Sequence, residues 1–201
     1  MLHWFDLHTS AYWWLAWTAF ALLLLLSLAA LRPGDDRGPV GRLLRSDWLY
    51  SLALVAALFA FRWPLLLVER EFNPDESQLI AGALTLSGNP VFWDSVNGTT
   101  SGPLNFYALF LGRGLGLPFD YGAARLVGLG LVAAAVVSIY RLLARHQGAI
   151  ARLGVLPVFA VFAFASLPDL VHYSSEHVPL ALLALGLVGC GGVVADSLPT
   201  N

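Results

Sequence analysis

Long uncharged apolar runs separated by short polar intervals set the pattern of this chain. Residues 11 to 31 form the first run, and about 20 helical residues suffice to cross a hydrocarbon core. Residues 48 to 68 make a second run of that length, and 122 to 140, 153 to 168 and 179 to 195 make three more. The fold class this predicts is an all-α polytopic integral membrane protein. Trp4, Trp13, Trp14 and Trp17 suit the headgroup belt at the start of the first span. Arg32, Arg37, Arg42 and Arg45 follow it among glycine and proline breakers, so the positive-inside rule puts that loop in the cytoplasm and the N-terminus outside.

The segment 103 to 118 tests this topology. It carries Arg113 and three glycines in only sixteen residues, a poor crossing. If it crossed, the loop holding Arg141, Arg145, His146 and Arg152 would fall outside, against the positive-inside rule. The expectation is therefore that it dips in and returns, or lies along the surface. The polar loop 169 to 178 then surfaces on the same outer face as the loop 69 to 103.

That first outer loop opens the longest polar interval of the chain. Asn73-Pro74-Asp75-Glu76 reads as a helix start, with Asn as cap, Pro in the first turn and Glu three residues after the cap. Leu79, Ile80, Ala83, Leu84 and Leu86 recur at helical spacing, which predicts a short interfacial helix ending near Ser87-Gly88-Asn89-Pro90.

Composition agrees with a membrane protein: 58% of the 201 residues are hydrophobic and 12% charged, against about 25% charged in soluble domains. Eleven Arg, no Lys and 13 acids leave a net charge of −2, with no polybasic tail and nothing that invites nucleic acid. Lone Cys190 cannot form an intrachain disulfide, and a zinc-thiolate site is not expected. The N-terminus lacks the basic start of a signal peptide, so the first apolar run reads as a retained segment.

The order of features carries a resemblance. The acidic pair Asp75-Glu76 is followed by Gly88-Asn89-Pro90 and by Gly102-Pro103-Leu104-Asn105-Phe106-Tyr107. Ala123-Ala124-Arg125-Leu126, a second outer acid and Pro179-Leu180-Ala181-Leu182 come later. Over residues 48 to 195 this resembles the N-terminal part of polytopic glycosyltransferases with a GT-C fold, in the group of protein O-mannosyltransferases and lipid A aminoarabinose transferases. Residues 1 to 47 would be an extra N-terminal helix and cytoplasmic loop.

The resemblance implies an inner-membrane enzyme active on the outer, periplasmic face. It would move a sugar from a polyprenyl-phosphate donor to a hydroxyl on an acceptor lipid, glycan or protein, with inversion at the anomeric carbon. Asp75 falls on the family's first-loop acid with Glu76 beside it, Glu176 sits near the second acid with Asp169 competing for that role, and Arg125 matches the family's AARL-like arginine. The family commonly has a basic residue before its Pro-Pro turn, where this chain has Ser101-Gly102-Pro103.

Such a displacement needs a base for the acceptor proton, for which Asp75 is the candidate. The leaving phosphate would meet Arg62, Arg70 or Arg125, or a divalent cation held by carboxylates. Plainer readings stand beside these. Acids favour the positive end of a helix dipole, Arg62 near a span end can snorkel, and Asp94, Asn97, Thr99, Thr100 and Ser101 suit a solvated turn as well as a sugar site. His172, Glu176 and His177 make a weak metal signal, and Asn97-Gly98-Thr99 matches a glycosylation acceptor. The rival functions are a non-catalytic partner or scaffold of a glycosyltransferase or lipid-carrier system, and a transporter subunit.

Overall fold

The computed structural model describes residues 9 to 32, 38 to 98, 101 to 164 and 168 to 197. All regular structure among them is helical: α1 Thr9–Leu31, α2 Pro39–Leu44, α3 Asp47–Leu66, α4 Pro74–Gly88, α5 Phe92–Ser95, α6 Pro103–Gly114, α7 Tyr121–Gln147, a 3-10 turn Gly148–Ile150, α8 Ala151–Gly154, α9 Leu156–Phe164, α10 Pro168–Val171 and α11 His177–Ser197. Three helices are long and apolar enough to cross a membrane, beginning at Ser10, Asp47 and Tyr121, and α11 is apolar over the shorter stretch His177–Gly191. The chain is a multi-pass membrane protein. Its outward leucines fit that solvent, since Leu22 and Leu25 of α1 are more than half exposed.

Cross-helix hydrogen bonds fix the direction of each element. Tyr12 donates to the carbonyl of Phe61 at 2.5 Å, and Ser27 meets the Tyr50 hydroxyl at 2.9 Å, so α1 and α3 are antiparallel. Tyr140 donates to Asp47 at 2.5 Å while Arg125 reaches the Leu65 carbonyl at 2.9 Å, so α7 is antiparallel to α3. The apolar stretch continues past α7 through Gly154, but the chain reverses inside it at Gly148, whose φ of +57° suits glycine. Tyr50 and Arg62 of α3 then bond the carbonyls of Arg152 and Phe162 in step, so α8 and α9 run parallel to α3. The His177 ring packs against Gly128 and Arg145 bonds the Val188 carbonyl further along, so α11 runs parallel to α7.

The predicted span 153 to 168 is broken. Pro157 has no N–H for the carbonyl four residues back and its ring crowds that turn, so α8 stops at Gly154 and α9 resumes at Leu156.

This geometry separates charge. Arg32, Arg42, Arg45, Arg141, Arg145 and Arg152 collect at one end of the bundle, where Arg45 bonds the Arg32 carbonyl and Arg152 the Leu44 carbonyl. Glu69, Glu71, Asp75, Glu76, Asp94 and Glu176 belong to the other, acidic end. The segment 103 to 118 stays at the acidic end: α6 packs on α4 and α7, and both the end of α3 and the start of α7 lie there.

Two apolar clusters hold the layers. Leu54, Leu58 and Phe61 of α3 pack with Val136 and Tyr140 of α7 and with Val155 and Phe159 in the bundle. At the acidic end, Leu79, Ile80, Ala83 and Leu86 of α4 pack with Phe106, Leu109, Ala124 and Tyr173. The close start of α7 needs a glycine: a Cβ on Gly122 would lie 2.7 Å from the Leu66 carbonyl oxygen.

Candidate functional site

The acidic end is built on the first turn of α4. The Asn73 side chain accepts the Asp75 N–H at 3.1 Å, Pro74 takes the first turn, and the chain adopts the predicted helix start. Glu76 departs from a full capping box. Its Oε2 accepts the Phe72 N–H at 3.4 Å, and its main commitment is elsewhere.

Glu76 is fully buried and forms a two-pronged pair with Arg125, Nε to Oε1 at 2.8 Å and Nη2 to Oε2 at 2.7 Å. Arg125 also donates to the carbonyls of Leu65 at 2.9 Å, Val68 at 2.5 Å and Arg70 at 2.6 Å. A guanidinium has five N–H donors, and all five are used. Glu76 is equally saturated, because Oε1 also accepts the Tyr173 N–H at 3.4 Å. The Phe72 ring stacks 3.9 Å from the Arg125 guanidinium, and the Tyr121 ring lies at 5.4 Å. This buried pair joins the end of α3, the start of α4, α7 and the loop 172 to 176.

Asp75, one residue earlier, points away from the core and is exposed. Glu176 is exposed too, with the Ser175 hydroxyl donating to it at 3.1 Å. Partial burial works to raise the Glu176 pKa, but hydrogen bonds from Ser174, its own backbone and Ser175, with the nearby His177 charge, outweigh it and hold the carboxyl below its ordinary 4.5. Tyr173 ties the two loops together. Its N–H reaches Glu76 and its hydroxyl donates to the Asn105 carbonyl at 2.5 Å, and burial pushes its phenol pKa upward.

The other sequence candidates are dispersed. Arg62 does not snorkel; it is buried and both Nε and Nη2 bond the Phe162 carbonyl. The Arg70 side chain is exposed at the acidic end. Asp94, on α5, accepts from Asn89 at 2.7 Å at a separate surface patch with Trp93 and Asn97. Asp169 belongs to α10, and its side chain, like Thr99 and Thr100, lies outside the described residues. Residues 172 to 176 form a turn rather than a helix, so His172 does not stack over Glu176 by helical spacing. Among the described residues, no group of three or more His, Cys, Asp or Glu side chains is arranged to hold a metal ion.

Two features had no signature in the sequence. One is the pivot Tyr173, which looks like any loop tyrosine until its partners are known. The other is a pocket of about 20 Å³, room for about one water, lined by Arg62, Arg125, His172 and His177 among Phe162 and aliphatic side chains. His177 is 3% exposed, and neither ring nitrogen has a hydrogen-bond partner among the described residues. Gly128 admits that ring, since a Cβ there would stand 2.8 Å from Nδ1.

Comparison with family models, with curated proteins and with solved structures found no match to this chain.

Proposed function

We propose that the acidic end is the outer, periplasmic face of a membrane glycosyltransferase, of which this chain is the N-terminal part of a GT-C-like bundle with α4 and α6 lying in the interface. The sugar comes from a polyprenyl-phosphate donor and goes to an acceptor hydroxyl. The observation that carries the reading is the division between the adjacent acids. Glu76 is consumed in a saturated pair with Arg125, while Asp75 is a solvent-facing carboxylate held on a rigid helix start.

In the step proposed, Asp75 accepts the acceptor's O–H proton as that oxygen bonds the anomeric carbon. The bond from that carbon to phosphate oxygen breaks, and the phosphate leaves with the electron pair. Arg125 has no N–H left for phosphate and Arg62 is buried against Phe162, so the exposed Arg70 is assigned to the leaving group. Glu176 is assigned a supporting place on the second loop.

One observation favours the rival reading of a non-catalytic partner. Ser101 stands where the resembled family has a base, and one of its two paired acids is locked in the fold. Transfer of radiolabelled sugar from polyprenyl phosphate in membranes separates the two. Asp75→Asn is expected to abolish transfer while the protein stays folded, and transfer at the wild-type rate sinks the transferase reading.

A further inference from the structure

An all-aliphatic groove of about 340 Å³ runs between the end of α6 and the outer part of α7. Leu111, Leu115 and Leu117 form one wall, Leu126, Val127 and Leu131 the other, with Gly112 and Gly130 between them. We propose that this groove binds one acyl chain of an anionic phospholipid of the outer leaflet. The inference rests on the multi-pass membrane fold and on the outward orientation of the acidic end proposed above, and not on the transferase chemistry.

Four observations point to that occupant. The lining offers no polar side chain and no aromatic ring, so it favours hydrocarbon over a polar partner. The groove is continuous with the exposed surface of a membrane-crossing helix, because Leu126 and Gly130 of α7 are both exposed. Its depth is right: residues 126 to 131 lie about 8–15 Å below the start of α7 at 1.5 Å per residue, from the headgroup level into the hydrocarbon. Arg113, exposed in the last turn of α6 next to the lining residue Gly112, supplies a cation beside the groove.

Gly130 sharpens the case. A Cβ there would meet nothing within 4 Å, so helix packing does not require the glycine. Gly112 differs, since its Cβ would stand 3.0 Å from Val127 Cγ2 and the helices close on each other there. The missing side chain at 130 keeps the groove open, and an added Cβ there meets no neighbour.

The test reconstitutes the full chain in bilayer nanodiscs containing phosphatidylglycerol with a diazirine in its acyl chain, followed by irradiation and peptide mapping. The label is expected to concentrate on residues 111–131 above its level on lipid-facing α1. Gly130→Leu should lose that excess with an unchanged helical spectrum, and Gly130→Ala should keep most of it. Arg113→Gln should lower labelling by phosphatidylglycerol but not by a phosphatidylcholine probe. Equal labelling of α1 and 111–131 overturns the site, as does an excess that survives Gly130→Leu. Protection of 111–131 from any lipid label would show that protein covers the face. Displacement of the label by substoichiometric polyprenyl phosphate would overturn the assignment to phospholipid.

Discussion

Arg125→Met is the perturbation that reads the fold most directly. It removes two charge-assisted bonds to Glu76 and the donors to three carbonyls, at Leu65, Val68 and Arg70. Glu76 has no solvent contact, and only the distant N–H groups of Phe72 and Tyr173 would remain to it. Breaking a buried ion pair from one side costs about 3–5 kcal/mol, because a charge is left without compensation. Glu76→Gln should fall toward the lower end of that range, since the shape and one acceptor persist. The double variant Glu76→Met with Arg125→Met strands no charge and should cost less than the sum of the single methionine changes by about 2–3 kcal/mol. Asp75→Asn next door, being exposed, should stay within about 0.5 kcal/mol of wild type. Unfolding by SDS titration in mixed micelles, followed by tryptophan fluorescence and helical circular dichroism, measures all of these. Arg125→Met costing under about 1 kcal/mol, or methionine changes that simply add, would show that the pair does not clamp the acidic end.

Two further outcomes are expected. Gly122→Ala would place a methyl 2.7 Å from the Leu66 backbone oxygen and should destabilise by about 1–3 kcal/mol in the same titration, and an unchanged midpoint would refute that close contact. Glu176 has a depressed folded-state pKa, so its stabilising contribution is present above the ordinary value of 4.5 and is lost as pH falls through the lower folded value; carboxyl-carbon NMR should find its midpoint below 4.5, and replacing Ser175 with Ala should move that midpoint up.

The coarse architecture was legible because it follows from one-dimensional quantities. Runs of about twenty apolar residues gave α1, α3 and the start of α7, and the arginine distribution correctly kept 103 to 118 at the acidic end. The start of α4 was legible because Asn, Pro and two acids satisfy a helix N-terminus locally. The break near Val155 was also written in the chain, but counting apolar residues reads straight through Pro157. What the chain could not reveal was the pairing of Glu76 with Arg125, which are 49 positions apart. The resemblance assigns both to chemistry, and only the three-dimensional packing shows that they saturate each other. Asp169 stays an expectation, since its side chain is outside the described residues.

The separation of Asp75 from Glu76 follows from helix geometry. The buried positions of α4 are Glu76, Leu79, Ile80, Gly82, Ala83 and Leu86, and apart from Gly82 they trace one stripe at spacings of three and four. Position 76 heads that stripe, so its carboxylate must enter the packed layer and find a cation there. Arg125 is that cation, and its burial in turn requires every N–H to be met. Position 75 is rotated about 100° from 76 at 3.6 residues per turn, which turns its carboxylate to water. An acidic pair at a helix start thus divides into one group that organises the end of the bundle and one left free above it. Asp75 is therefore the member of the pair whose side chain can be changed without dismantling the fold.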